Sequence, residues 1–331
     1  MPEVTTDVDA AVRVLRAGGL VGLPTETVYG LAAHARNPEA VRRVFAVKGR
    51  PPTHPLIVHL PDASHVGRWA AEIPAALASL ADALWPGPLT VVMRAAAEVP
   101  AEVTGGRDTV AVRVPAHPLA LEVLRRLDDG LAAPSANRFG EVSPTTAAHV
   151  VADLGDDVDL VLDGGPCLVG VESTIIDLSG ETPEVLRTGA VTVEELSSLL
   201  GTGVTLWSGE GEARAPGMLA SHYAPHATVY LLDDAAASTE IATGLPGEGS
   251  IAVLAGTTTE LDQVRSGLAG LAHRLVDLEP VGGPEGFAHD LYDRLRQADR
   301  LKCTAVVVVA PPPQGVGAAV RDRLARAASG N

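Results

Sequence analysis

Residues 38–60 read PEAVRRVFAVKGRPPTHPLIVHL. Pro38 suits a first helical position and the apolar residues after it recur at helical spacing, so a helix is expected from Pro38 until Gly49 closes it. LIVHL, residues 56–60, then reads as a buried strand. Between them Lys48, Arg50 and His54 stand around the three prolines of KGRPPTHP. A helix that passes through a stiff loop into a buried strand is a unit of α/β architecture, and its cations raise the question of which anion they serve.

Toward the N-terminus, Val8, Ala11, Val12 and Leu15 share a helical face that ends at Gly18-Gly19, and LVGLP is a short strand stopped by Pro24. Toward the C-terminus, strands are expected at 89–94, 109–114, 131–134, 158–162, 173–178 and 183–187, with helices near 73–84, 117–127, 144–154 and 192–200. Periodicity lapses from Gly201 to Pro225, in a stretch rich in Gly, Ala, Ser and Pro. It resumes as strands at 228–232, 251–255, 272–277 and 304–310 that alternate with helices near 258–270, 284–300 and 316–328, the pattern of a small parallel α/β domain. The expected division is a first domain at 1–202, a linker at 203–226 and a second domain at 227–331, which suits a length of 331 residues.

A hydrophobic content of 46% with 20% charge excludes global disorder, and no apolar run approaches the roughly 20 residues that span a bilayer. MPEVTTDVDAAVRVLRAGG lacks the features of a secretory signal and reads as a capped helix, so a cytoplasmic location is expected. Cys167 and Cys303 form no C-x-x-C pair, which argues against a disulfide framework or a structural zinc site. The net charge of -16 repels polyanions, so direct tRNA binding is expected to be weak or absent. Any anion must meet a local exception, and residues 34–50 provide one, with five cations (Arg36, Arg42, Arg43, Lys48, Arg50) against Glu39.

Three further stretches carry candidate chemistry. LPTETVYGLAAHA, residues 23–35, passes from a strand end to Thr25, Glu26, Thr27 and Tyr29, groups able to hold a polar substrate or simply to cap a turn. APSANRFGEVSPTTAAHV, residues 133–150, sets Ser135, Asn137, Ser143 and Thr145 before a helix whose first turn is expected near Pro144. Capping explains Ser143 but not Ser135 and Asn137, which suit an anion or nucleotide cradle. GVESTIIDLSGETPEVLRTG, residues 170–189, reads as a hairpin in which Arg187 stands out. There is no Walker loop, and GVGAAV at 315–320 lacks the third glycine of a dinucleotide fingerprint and reads as a loop-to-helix turn.

Taken in order, PTETVYGL, KGRP with PLIVH, PSAN with SPT, ESTIID and LRTG resemble the YrdC/Sua5 family, the L-threonylcarbamoyladenylate synthases, over residues of roughly 8 to 202. PGMLASHYAP and the α/β tail resemble the two-domain Sua5 type. The resemblance implies a YrdC-like twisted mixed sheet with flanking helices, followed by a smaller Rossmann-like parallel α/β domain. It also implies a nucleotidyltransferase that makes threonylcarbamoyl-AMP and pyrophosphate from L-threonine, bicarbonate and ATP, toward the t6A modification of tRNA by a downstream threonylcarbamoyl transferase. Carried onto this chain, Thr27, His59, Arg113 and Ser173 match positions that hold L-threonine. Arg50, Thr109, Ser135, Asn137, Thr145 and Arg187 match positions around ATP, joined by His54 and by Tyr223 of the linker; Lys48 and Arg50 form the catalytic cationic group. Departures fall at His54, at Phe139 and at Leu219–Ser221, where many members carry other residues. Mg²⁺ is expected to come with the ATP phosphates, without a metal site or tightly bound cofactor of the protein's own.

Two other readings compete. An RNA-binding, translation-associated module is disfavoured by the charge and by an aromatic fraction of 3%. A carbamoyl-phosphate-using carbamoyltransferase would bring zinc-finger cysteine pairs, which are absent here. The linker, with Pro216 and Pro225 at its ends and Met218, His222 and Tyr223 between them, is expected to act as a lid, the alternative being a static inter-domain contact.

Overall fold

The helix announced by the opening stretch forms at Pro38–Lys48. Asn37 caps it by accepting from the amides of Glu39 and Ala40, and Gly49 ends it in the left-handed region at φ 65°. The fold is seen in a computed structural model that describes residues 1–208, 214–216 and 223–329. Chain contacts divide it into two units. Met1–Phe139 with Ser143–Met218 form one, and Gly140–Val142 with Leu219–Asn331 form the other.

The strands of the first unit are β1 (Glu3–Thr5), β2 (Val21–Leu23), β3 (Gly30–His34), β4 (Ile57–His59), β5 (Leu89–Arg94), β6 (Thr109–Arg113), β7 (Leu131–Ala132), β8 (Leu160–Leu162), β9 (Thr174–Asp177), β10 (Glu184–Arg187) and β11 (Thr205–Leu206). They join one mixed sheet in the order β1-β8-β2-β3-β7-β4-β6-β5-β9-β10-β11. β6 lies near the middle, parallel to β4 and antiparallel to β5, and β9 pairs parallel with β5 on the far side.

Alternation along these central strands sorts the side chains by face. Leu56, Val58, Leu60, Val91, Met93, Val110, Val112, Val114 and Ile176 enter the main core, packed with the helix at Pro38–Lys48. The opposite face carries Ile57, Val92, Ala111 and Ile175 in a small apolar patch under Ala215 and Trp207. Residues two positions from that patch share its face, which places His59, Thr90, Thr109, Arg113 and Ser173 on one surface.

The second unit forms a separate four-stranded sheet, all parallel, from β12 (Thr228–Leu232), β13 (Ser250–Leu254), β14 (Leu275–Asp277) and β15 (Cys303–Val309), in the order β12-β15-β13-β14. This is the arrangement expected of the tail. Among the described residues no helix is long and apolar enough to cross a membrane.

The structure departs from expectation in several places. β1 and β3 are additional strands, too short and uniform to show alternation. The helix expected from Pro144 begins at Ala147 with Thr146 as its cap, and the Pro144 carbonyl instead accepts from the amide of Tyr29. A 3₁₀ turn occupies Ala269–Arg274, so the strand there starts only at Leu275. Thr205–Leu206, read as linker coil, pairs in parallel with Glu184–Val185 and extends the sheet.

Because the helix that ends in Lys48 depends on its side-chain cap, Asn37→Ala should cost about 0.5–2 kcal/mol in urea unfolding, while Asn37→Asp should stay close to the parent.

Candidate active site

The loop from Pro24 to Tyr29 is held from within by Thr25. Its Oγ1 donates to the carbonyl of Val28 at 2.6 Å, accepts from the amides of Thr27 and Val28 at 3.2 Å, and lies 2.8 Å from Thr27 Oγ1. That turn presents Glu26 and Thr27 to Arg113 at the end of β6. Arg113 Nη2 donates to Glu26 Oε1 at 2.6 Å, Nη1 to Thr27 Oγ1 at 2.9 Å and Nε to the Gly87 carbonyl at 3.1 Å. The second Glu26 oxygen accepts from the amide of Ala116 at 2.9 Å. Burial raises the Glu26 carboxyl, but the Arg113 guanidinium more than reverses this and holds it below the usual carboxylate range. Both partners are therefore charged, with side chains only 4% and 7% exposed.

His59 stands opposite Arg113 in the β4–β6 pairing. Burial, reinforced by the Arg113 charge, drives its pKa down to about 3, so the ring is neutral at working pH. Its Nδ1 is buried without a hydrogen-bond partner among the described residues.

Ser173 lies across the face at the entry to β9. Thr90 Oγ1 is 2.8 Å from its Oγ, and Arg187 donates to it twice, from Nη2 to Oγ at 3.1 Å and from Nε to the carbonyl at 3.0 Å. The third Arg187 nitrogen, Nη1, donates to the carbonyl of Pro216 at 3.1 Å.

Main-chain bonds join the motif loops. Leu31 N donates to Pro134 O, Ala136 N to Tyr29 O, and Tyr29 N to Pro144 O. Lys48, expected to supply a point charge, is buried, and its Nζ donates to the carbonyls of Ser135 and Asn137 at 2.6 Å each, bracing the PSAN loop against the helix end. Arg50 is buried as well and not displayed on an exposed loop; its Nη2 turns back to the carbonyl of Pro55 at 3.0 Å. His54 is half-buried, its ring 5.7 Å from that of Phe139, and burial followed by the charges of Arg50 and Arg107 lowers its pKa. Thr109 lines a groove of about 970 Å³ with Thr53, Arg107, Asp177 and Arg214. Thr145 is buried, with its Oγ1 3.4 Å from His149 Nδ1. Tyr223 belongs to the second unit, where it stacks on Tyr292 at 5.8 Å beneath the Arg323 guanidinium. Met218, His222 and Leu219–Ser221 lie outside the described residues.

Glu26, named above only among the polar groups of its loop, and Thr90, not selected at all, join the candidate site through Arg113 and Ser173; Thr90 has no signal in a strand of apolar neighbours. Cys167, beside the same loops, has its thiol pushed by burial to about 12 and is inert. Among the described residues no three His, Cys, Asp or Glu side chains gather as a metal site.

Comparison with known proteins adds the following. A family model covering Sua5, YciO and YrdC proteins, described as "Telomere recombination", matches residues 13–189, and one described as "Threonylcarbamoyl-AMP synthase, C-terminal domain" matches residues 191–329. The chain is 37% identical over 323 residues to a threonylcarbamoyl-AMP synthase of Pyrococcus abyssi, covering 95% of this chain and 91% of that protein. It is 36% identical over 325 residues to the Bacillus subtilis protein of the same name, covering 97% and 92%. A crystal structure of P. abyssi Sua5 complexed with L-threonine superposes with a TM-score of 0.89 at 34% identity, covering 100% of this chain and 98% of that one.

The neutral, buried His59 has a consequence for stability. Above pH 6.5 it is unprotonated both folded and unfolded; from pH 6.5 down toward 3 the unfolded chain binds a proton that folded His59 refuses. Its contribution should therefore be lost at up to about 1.4 kcal/mol per pH unit across that window. Urea unfolding of His59→Gln at pH 7.5, 6 and 5 should show a shallower decline than the parent by up to one proton.

Proposed function

This chain belongs to the Sua5/YciO/YrdC family and carries that family's Sua5 C-terminal domain, and on that premise we propose that it makes threonylcarbamoyl-AMP and pyrophosphate from L-threonine, bicarbonate and ATP. The observation that carries this reading is the end-to-end likeness to the P. abyssi protein held with L-threonine. The product serves the t6A modification of tRNA, handed to a separate threonylcarbamoyl transferase.

The chemistry asks the protein to assemble reactants more than to react with them. The threonine ammonium group gives up a proton, and the free amine then condenses with bicarbonate to a carbamate with loss of water. One carbamate oxygen then attacks the α-phosphorus of ATP as the bond to pyrophosphate breaks. No protein nucleophile is required, so rate comes from positioning and from donors aimed at developing charge. Arg113, Thr27, His59 and Ser173 are the proposed hold on L-threonine. The neutral His59 ring stands beside the guanidinium with its Nδ1 unpaired among the described residues. Arg50, His54, Thr109, Ser135, Asn137, Thr145 and Arg187 are proposed to surround ATP, and Lys48 to keep the PSAN cradle closed. Mg²⁺ brought on the triphosphate neutralises phosphate charge when bound.

Pyrophosphate release should require ATP, L-threonine and bicarbonate together. Serine should support it partly. Valine should be weaker by about tenfold or more, because a site built for the hydroxyl leaves a buried polar group unpaired at about 1–3 kcal/mol. Equal release with valine, or release without bicarbonate, overturns the reading.

Arg50→Ala should lower turnover by about 10²-fold or more if Arg50 acts on the phosphates. Since the residue is buried, the variant should also unfold at lower urea, and Arg50→Lys should restore stability better than turnover.

A further inference from the structure

We propose that Thr90 locks the Ser173 hydroxyl as a pure hydrogen-bond donor aimed at an anionic oxygen of the amino-acid substrate, which makes Thr90 a positioning residue for L-threonine. The inference rests on the functional reading above and deepens it.

The argument is a count of protons and lone pairs. Thr90 lies in β5, fully buried, and its Oγ1 makes one hydrogen bond among the described residues, to Ser173 Oγ at 2.8 Å. The Thr90 hydroxyl proton thus has a single acceptor there. In the free protein one of the two hydroxyl protons goes without an acceptor whichever way the bond runs, and only Ser173, among the proposed L-threonine contacts, can have its proton answered by a ligand, so in the substrate complex Thr90 donates and Ser173 accepts. Arg187 Nη2 gives Ser173 Oγ a second bond at 3.1 Å, and its direction is beyond dispute because a guanidinium has no lone pair to offer. Both lone pairs of the serine oxygen are then taken. Ser173's own proton remains, with no acceptor among the described residues, on a residue 1% exposed.

A hydroxyl in this condition can give and cannot receive. It suits a carboxylate or carbamate oxygen and repels an ammonium group, which settles which part of the amino acid Ser173 meets. The reverse polarity, with Ser173 donating to Thr90, strands the Thr90 proton, which has no other acceptor among the described residues even when a ligand meets Ser173. The same short segment keeps the geometry in place from two sides. The Gly87 carbonyl takes Arg113 Nε at 3.1 Å and the Pro88 carbonyl takes the Thr174 amide at 3.0 Å, so residues 87–90 register Arg113 and Ser173 against each other.

The test is steady-state pyrophosphate release by the full chain, with calorimetric binding of L-threonine alongside. Thr90→Val keeps the shape and removes the hydroxyl. It should raise KM and Kd for L-threonine about tenfold, leave KM for ATP within about twofold, and unfold at a urea midpoint near the parent's. Thr90→Ser should recover the L-threonine affinity, since it restores the donor. Thr90→Val with Ser173→Ala should be no weaker than Ser173→Ala alone, because Thr90 acts through Ser173. Parental L-threonine affinity in Thr90→Val, no recovery in Thr90→Ser, or additive losses in the double variant overturns the proposal. Any of these in an enzyme whose parent still turns over L-threonine leaves the functional reading standing; a parent that neither binds nor turns over L-threonine removes both.

Discussion

A guanidinium and a carboxylate 2.6 Å apart and shut away from water are expensive, and the first unit is organised so that each of the three guanidinium nitrogens and both carboxylate oxygens has a partner. Arg113 spends its donors on Glu26, Thr27 and Gly87, and Glu26 takes the Ala116 amide on its other oxygen. Removing one partner would leave a bare buried charge, a loss of about 3–5 kcal/mol. Three segments far apart in sequence, the Thr25–Val28 turn, the Gly87–Thr90 strand entry and the end of β6, must therefore converge on one point. The pair specifies where they meet more than it stabilises the fold.

The sheet makes that convergence possible by giving its two faces different work. With alternate residues of β4, β5, β6 and β9 committed to a dry core, the intervening ones are free to be polar without breaking continuity of packing. Ile57, Ala111 and Ile175 then form a floor, and His59, Arg113 and Ser173 rise at one end of it. The motif loops are fastened around that end by main-chain bonds, so their positions do not depend on long flexible side chains. Lys48 belongs to this scaffold. A lysine at a helix C-terminus is favoured by the helix dipole, and here its stem carries the ammonium inward to two carbonyls of the next loop.

What could be read from the chain follows from which forces are local. The helix at Pro38–Lys48 was legible because Pro38 and Gly49 act on their own backbone, and β5 and β6 because alternation shows in five or six residues. β1 and β11 were not, since strands of two or three residues exist through their neighbours, and β3, as long as β6, was hidden because GLAAH has no Val, Ile, Thr, Phe, Tyr or Trp to mark it. The family resemblance picked out Thr27, His59, Arg113 and Ser173, and the structure sets His59, Arg113 and Ser173 on one face with Thr27 bonded to Arg113. The direction of a long cation is a tertiary matter. Nothing within KGRPPTHP shows that Lys48 and Arg50 turn inward, because Ser135, Asn137 and Pro55 decide it. Thr90 was invisible for the same reason, being meaningful only once Ser173 is beside it.

Charge bookkeeping explains how an acidic protein with a net charge of -16 can hold an amino acid without a strong field. Arg113 is neutralised by Glu26, and His59 is kept uncharged by burial, so the Arg113–His59 part of the face is nearly neutral taken together. An incoming carboxylate gains little from long-range attraction there, and screening by salt takes little away. Recognition at that end must come from the direction of donors already in place, which are short, buried and cost no rearrangement when the ligand arrives. Such a site discriminates by whether each lone pair and proton finds its complement, and that is the kind of selectivity that can separate threonine from an isosteric valine where a charged pocket could not.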